Sequence, residues 1–178
     1  MISGKYDAER LKENFRERFH ETPLLFRSPG RINIIGEHTD YNEGFVLPAA
    51  IDRAAYVAIS KRNDDSIQLA SIAFNETYSC RISEVRPLKS WTDYVLGVVS
   101  QLSKHGMAIG GFNLALDGDI IIGAGLSSSA AVECSVLYAL NELFALGLSK
   151  IQIAKMAQAA EHEFAGVKCG IMDQFASV

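Results

Sequence analysis

The chain has 178 residues, 48% hydrophobic and 21% charged, with a formal net charge of -4, which suits one globular domain with a sizeable core. Its Lys and Arg residues form no basic run or stripe, so the electrostatic footprint of a nucleic-acid binder is absent. Three widely separated cysteines, Cys80, Cys134 and Cys169, lack any CxxC pairing; this excludes a disulfide framework or zinc site and predicts reduced thiols in a cytoplasmic protein.

The first residues, MISGKYDAERLKENF, are charged almost from the start and carry no apolar stretch with a small-residue cleavage site, so export is not expected. Leu11, Phe15 and Phe19 recur every four residues and predict an amphipathic helix over 7–20. The short alternating or β-branched runs LLFRS, VLPAAID, AAYVAISKR, SIQLASIA and ETYSCRI follow, separated by Pro, Gly, Asn and Asp, and predict strands and turns. Between the first two lies GRINIIGEHTDYNEGFVLP, residues 30–48, which crowds Arg31, Glu37, His38 and Asp40 together with neither helical nor strand periodicity. Arg31 suits phosphate charge, and the other three offer donors and acceptors for several hydroxyls, as a sugar would require. A turn with satisfied polar groups is the plainer alternative, and a metal on His38 and Asp40 lacks a third ligand nearby.

Helical spacing returns over 91–104 through Trp91, Val95, Val98, Val99 and Leu102, and GFNLALD reads as a strand with Phe112, Leu114 and Leu116 on one face. The longest segment free of charged side chains, Ile120 to Val132, is well short of the ~20 residues that span a bilayer, so no membrane partner is expected. Within it GAGLSSSAAVEC, residues 123–134, brings Gly123, Gly125 and three serines, Ser127, Ser128 and Ser129, to a helix start, which outlines an anion site or else a plain glycine turn. A P-loop is excluded because no lysine lies between Lys104 and Lys150, and the GxGxxG fingerprint fails at Ser128.

Two buried helices are predicted over roughly 127–146 and 150–164. On the second, Glu161 shares the inward stripe of Ile153, Ala154, Ala157 and Phe164, as a buried, satisfied carboxylate or a ligand of Mg²⁺ shared with a loop serine. HEFAG is no zinc-protease helix, since position 166 is Gly166. In CGIMDQ, Gly170 opens a turn, and Asp173 in the first turn of a last helix is read either as dipole compensation or as a catalytic group. That helix stops without a glycine, lysine or proline signal, which predicts that the 178 residues are a piece of a longer polypeptide; a frayed terminus is the alternative.

GRINIIGEHTDYNEGFVLP resembles the galactokinase signature, GAGLSSSAAVE resembles the second motif of the GHMP small-molecule kinases, and AEHEFAGVKCGIMDQF resembles the galactokinase segment around its active-site aspartate. The resemblance implies an α/β (α+β) fold. Residues 1–178 would be an N-terminal GHMP-kinase domain with a mixed sheet packed by helices, and a C-terminal ferredoxin-like domain would be missing. The sugar motif would lie at 30–48, the phosphate loop at 123–130 and the active-site segment at 161–174. It implies phosphorylation of D-galactose at its anomeric hydroxyl, with ATP and Mg²⁺, and that the 178 residues alone would be an incomplete catalyst. Asp173 and Arg31 would be catalytic. Glu37, His38, Asp40, Gly170 and Asp173 would hold the sugar. Gly123, Gly125, Leu126, Ser127, Ser128 and Ser129 would cradle the triphosphate, Trp91 and Tyr94 would line the adenine pocket, and Ser129 with Glu161 would ligate Mg²⁺. Core packing is the reading of Trp91 from the residues alone.

Ile121 departs from the proline usual in the second motif, which would loosen the entrance of the loop without removing a phosphate contact. A non-catalytic galactose sensor on the same scaffold is an alternative, against which stands the intact Ser129-Ala130 pair; a kinase for N-acetylgalactosamine is another, against which stands Asn42-Glu43-Gly44. Absence of a second domain predicts an apolar seam and self-association.

Overall fold

The structure, a computed structural model, describes residues 6–36, 40–42 and 44–178. Helix α1 (Ala8–Phe19) begins where the Asp7 carboxylate accepts from the Glu9 and Arg10 N–H groups at 3.1 and 3.3 Å. It ends where His20 turns left-handed at φ 57° and returns its N–H to Arg16 O. Five strands follow: β1 (Leu24–Ile35), β2 (Leu47–Lys61), β3 (Ser66–Ser71), β4 (Glu76–Arg81) and β5 (Phe112–Gly118). They form one sheet in the order β1-β2-β5-β3-β4, antiparallel except for the β3–β5 pair. The expected mixed sheet is present.

Period-2 alternation decides what each face of the sheet meets. Val57 and Ile59 on β2, Ile67 and Leu69 on β3, and Phe112, Leu114 and Leu116 on β5 point to one face and form the main core. The intervening Ala58, Ala70 and Ala115 point to the other, where their small side chains let α1 come close enough to bury Leu11 and Phe15. Burying each of those two anchors stabilises the helix's docking by about 1.5–3 kcal/mol. The main core is closed by α2 (Asp93–Lys104), α3 (Ser128–Phe144) and α4 (Lys150–Ala160). Helix α4 runs on as a π-helical turn, Glu161–Ala165, and a short α5 (Met172–Ser177) packs against β1, β2, α3 and α4.

The runs VLPAAID and AAYVAISKR, expected as two strands, are one, β2. Asp52 and Arg53 do not break it because the Ala54 N–H finds Asp119 Oδ1 at 2.8 Å and the Arg53 guanidinium finds Asp119 O at 2.8 Å where pairing with β5 is about to begin. LLFRS likewise extends, as β1, through Pro29 and Gly30 to Ile35, with a register shift between Pro29 and Arg31. Pro29 is tolerated at that irregularity. Among the described residues no helix is long and apolar enough to cross a membrane.

Candidate active site

The irregularity in β1 turns Arg31 toward the glycine-rich loop. A Cβ on Gly30 would lie 2.7 Å from Leu126 O, so only glycine lets strand and loop meet here. Arg31 N–H then donates to Leu126 O at 3.2 Å and Arg31 Nη1 to Gly125 O at 2.6 Å. The rest of the guanidinium forks onto Asp173 at the start of α5, with Nε to Oδ1 at 2.6 Å and Nη2 to Oδ2 at 2.8 Å. This is the bidentate geometry in which arginine outperforms lysine. Ser127 Oγ donates to the same Oδ2. Asp173, one of two ways of reading it as dipole compensation or chemistry, therefore makes three hydrogen bonds to the loop and strand that face it.

Asp40 stands in a single 3₁₀ turn, Asp40–Asn42, and its Oδ2 accepts the Met172 N–H at 3.1 Å. Gly170 passes so close that a Cβ there would sit 1.7 Å from that oxygen. Arg31, Asp40, Gly170 and Asp173 are thus brought into one corner. Glu37 and His38 lie outside the described residues.

The glycine loop is strained as its composition suggests: Gly123 and Gly125 have φ of 78° and 70°, and Ser127 is left-handed at φ 55°. Ser127 stands at the N-cap of α3 in the left-handed region and makes no capping bond; its hydroxyl donates to Asp173 and links across the site. The first-turn N–H groups of α3, those of Ser128, Ser129 and Ala130, are left without intrahelical partners, and the helix dipole adds to their positive potential. Ser128 and Ser129 line a cavity of about 780 Å³ whose wall also includes Trp91, Tyr94, Phe74 and Ile122. That volume and its mostly apolar, part-polar wall suit a small-molecule ligand. Trp91 is half-buried there, partly packed on the main core, with Nε1 donating to Glu76 Oε2 at 2.7 Å. Trp91 thus packs against the main core on one side and lines the cavity on the other.

From the cavity wall Ser129 Oγ donates to Glu161 Oε1 at 2.6 Å. Glu161 is 5% exposed and occupies the first position of the π-helical turn, a wide turn that recurs at functional sites. Its Oε2 accepts from Gln174 Nε2 at 2.8 Å and from the Cys169 thiol at 3.3 Å. Burial and the Glu161 charge push that thiol up to about 12, so it remains a protonated donor at neutral pH. His162 Nε2 accepts the Cys169 N–H at 3.0 Å and so fixes the chain beside it.

Two residues of this cluster went unmarked by the sequence reading. Gln174 is fully buried and follows Asp173 directly. Glu133 is fully buried as well, one helical turn beyond Ser129 on α3, and neither of its carboxylate oxygens has a partner. Burial first, and the charge of Glu161 second, hold the Glu133 carboxyl well above the usual carboxylate range. The available signal was Glu133 itself, a lone charge inside the apolar run SAAVECSVLYAL. The Tyr94 hydroxyl is raised by burial first, and then by the charges of Glu161 and Glu133.

Residues 13–61 match the family described as the galactokinase galactose-binding signature, and residues 93–178 match the GHMP kinases N terminal domain. The galactokinase of Thermosipho africanus is 50% identical over 154 residues, covering 86% of this chain and 43% of that protein. That of Chloroflexus aurantiacus is 42% identical over 172 residues, covering 95% and 44%. The chain thus spans less than half the length of these curated relatives. The crystal structure of Lactococcus lactis galactokinase complexed with galactose superposes with a TM-score of 0.91 at 38% identity, over 94% of this chain and 45% of that one. Methanococcus jannaschii mevalonate kinase, at 23% identity and a TM-score of 0.77, over 88% of this chain and 51% of that one, shares the fold. Two family matches, identities of this size and a shared architecture converge on one conclusion: the chain belongs to the galactokinase family of GHMP kinases.

Proposed function

We propose that the chain forms the N-terminal, sugar- and nucleotide-binding domain of an enzyme that transfers the terminal phosphoryl group of ATP to the anomeric hydroxyl of D-galactose, giving galactose 1-phosphate and ADP. The observation that carries this reading is the Arg31–Asp173 fork, held between the glycine loop on one side and the Asp40–Gly170 corner on the other. One carboxylate and one guanidinium are thereby fixed beside the glycine loop, whose following serines, Ser128 and Ser129, line the cavity.

In this reading Asp173 orients the sugar hydroxyl and receives its proton as the bond from that oxygen to the γ-phosphorus forms and the bond to the departing ADP oxygen breaks. Arg31 supplies positive charge beside the transferred group, and the N–H groups at the start of α3 receive phosphate oxygens. A loose phosphoryl-transfer transition state asks little of a base, so positioning and charge dominate. Trp91 and Tyr94 would flank the base of the nucleotide. Asp40, Gly170 and, outside the described residues, Glu37 and His38 would hold sugar hydroxyls, and polar groups left unpaired by an epimer would reject it.

Magnesium is tested by the donors that are present. Among the described residues no group of three or more His, Cys, Asp or Glu side chains forms a metal site. Ser129 Oγ and Glu161 Oε1 nevertheless offer two hard oxygens 2.6 Å apart, one of them on the cavity wall. That small donor set fits Mg²⁺, which keeps several waters and takes its other ligands from phosphate. When bound there the ion would neutralise phosphate charge. The rest of the length seen in the relatives would supply a second domain against the cavity's open side.

The experiment, on the full-length enzyme of which this chain would be the N-terminal domain, is ADP release from MgATP with galactose, glucose or N-acetylgalactosamine, alongside Asp173→Asn and calorimetric sugar binding. Galactose-dependent release that the substitution abolishes, by at least about 10²-fold for the loss of a positioned acid–base group, is the expected result. Galactose binding without release would favour a sensor, and equal stimulation by N-acetylgalactosamine would overturn the choice of sugar.

A further inference from the structure

The two oxygens of Glu161 are treated unequally. Oε1 faces Ser129, whereas Oε2 is held from the far side by Gln174 Nε2 at 2.8 Å and Cys169 Sγ at 3.3 Å. A free carboxylate would rotate about its last torsion, which is broad. Two donors on one oxygen remove that freedom and leave the other oxygen pointing at the serine. Gln174 is fully buried, and its Nε2 also lies 3.6 Å from the Cys169 sulfur, so the two donors brace each other. Cys169 is braced in turn, its N–H on His162 Nε2 at 3.0 Å and its carbonyl accepting from Gln158 Nε2 at 3.3 Å. The π-helical turn carries Glu161 and His162 to the same short stretch, residues 169–174, that also bears Asp173.

We infer that Gln174 and Cys169 are positioning residues for Glu161: they clamp its Oε2 so that Oε1 and the Ser129 hydroxyl form a preset two-oxygen cradle for the divalent cation that accompanies the nucleotide. This rests on the MgATP reading above. Neither residue touches cation or substrate. Both act by fixing a ligand's orientation, a role that outer partners of metal ligands commonly play. The clamp also ties the cradle mechanically to Asp173, one residue before Gln174, so that cation and sugar aspartate share a single rigid segment.

The test reads cation binding rather than turnover. Mn²⁺ serves as the paramagnetic probe and is titrated into the protein saturated with ATP, with the emission of Trp91, the single tryptophan, reporting nucleotide occupancy. Gln174→Met keeps volume and removes the donor. It should weaken Mn²⁺ binding in the ATP complex about 10–100-fold and leave ATP binding in EDTA unchanged. Cys169→Ala should shift Mn²⁺ affinity in the same direction by a smaller factor, and Cys169→Ser, which retains a donor, should restore it. Mn²⁺ affinity within twofold of wild type in both Gln174→Met and Cys169→Ala, with cation-free ATP binding intact, overturns the clamp. If Gln174→Met loses cation-free ATP binding through misfolding, the alanine and serine variants at position 169 decide the matter: equal Mn²⁺ affinities in the two overturn the proposal. A wild-type ATP complex that takes up no Mn²⁺ fails the MgATP reading and removes the clamp with it.

Discussion

Glu133 poses the sharpest question of any single residue. A fully buried carboxyl with two unpartnered oxygens is costly as an anion, and burial first, then the charge of Glu161, holds it well above the usual carboxylate range. The sign of the pH effect follows. The folded value lies above the ordinary 4.5, so between the two values the folded state binds a proton that the unfolded state has released. Stability from this group is therefore fully present below 4.5 and declines as pH rises toward the folded value, at about 1.4 kcal/mol per pH unit. Glu133→Gln removes that slope. In urea denaturation at pH 5, 6 and 7 the substituted protein should gain stability on wild type steadily with pH, and a difference that stays constant across the series would show that Glu133 is ionised in the fold.

Among the elements, α5 is the one that cannot stand alone. Six residues are far too few for a helix to be stable by its own hydrogen bonds, so its place is set by Asp40 at Met172 N, by the Arg31 fork and Ser127 at Asp173, and by buried Gln174. Gly170→Ala attacks this docking directly, because the new methyl would sit 1.7 Å from Asp40 Oδ2. Overpacking of this kind costs about 1–3 kcal/mol. Amide exchange in 170–177 should accelerate while β2 and β5 keep their protection; unchanged exchange in that segment would mean that Asp40 moves aside freely. The same contrast between local and long-range causes governs what the sequence revealed. The helices were legible because Leu11 with Phe15, and Ile153 with Ala157 and Glu161, repeat at the helical period. The continuity of β2 was not, since Pro48 and Asp52 read as punctuation until Asp119, distant in sequence, supplies the missing partner. Arg31, Ser129, Glu161 and Asp173 stood out by motif, but the fork joins residues 142 apart in the chain, and the diversion of Ser127 from cap to cross-link has no local signature.

For the molecule as a whole, the alanine side of the sheet is closed by α1 and the large-residue side by α2, α3 and α4, so both faces of the central strands are buried. The apolar surface that remains lies elsewhere. Ile35 and Leu47, paired at the end of the β1–β2 ladder, are 67% and 54% exposed, and Ile121 and Ile122 at the start of the glycine loop are 57% and 63% exposed. Branched aliphatic side chains held on a strand end and a turn lose little entropy when covered, which makes them good contact groups. We therefore expect the chain to self-associate weakly through them, with a dissociation constant of roughly 10 μM to 1 mM, or about 4–7 kcal/mol, as small apolar contacts give. Sedimentation velocity over a wide concentration range measures this directly. Ile35→Lys and Ile121→Lys place charges at exposed apolar positions outside the core clusters, so they should restore a concentration-independent sedimentation coefficient while leaving thermal stability nearly unchanged. A wild-type chain that sediments as a monomer throughout that range would show that exposed apolar residues at these positions do not suffice for association, whatever covers them in longer relatives.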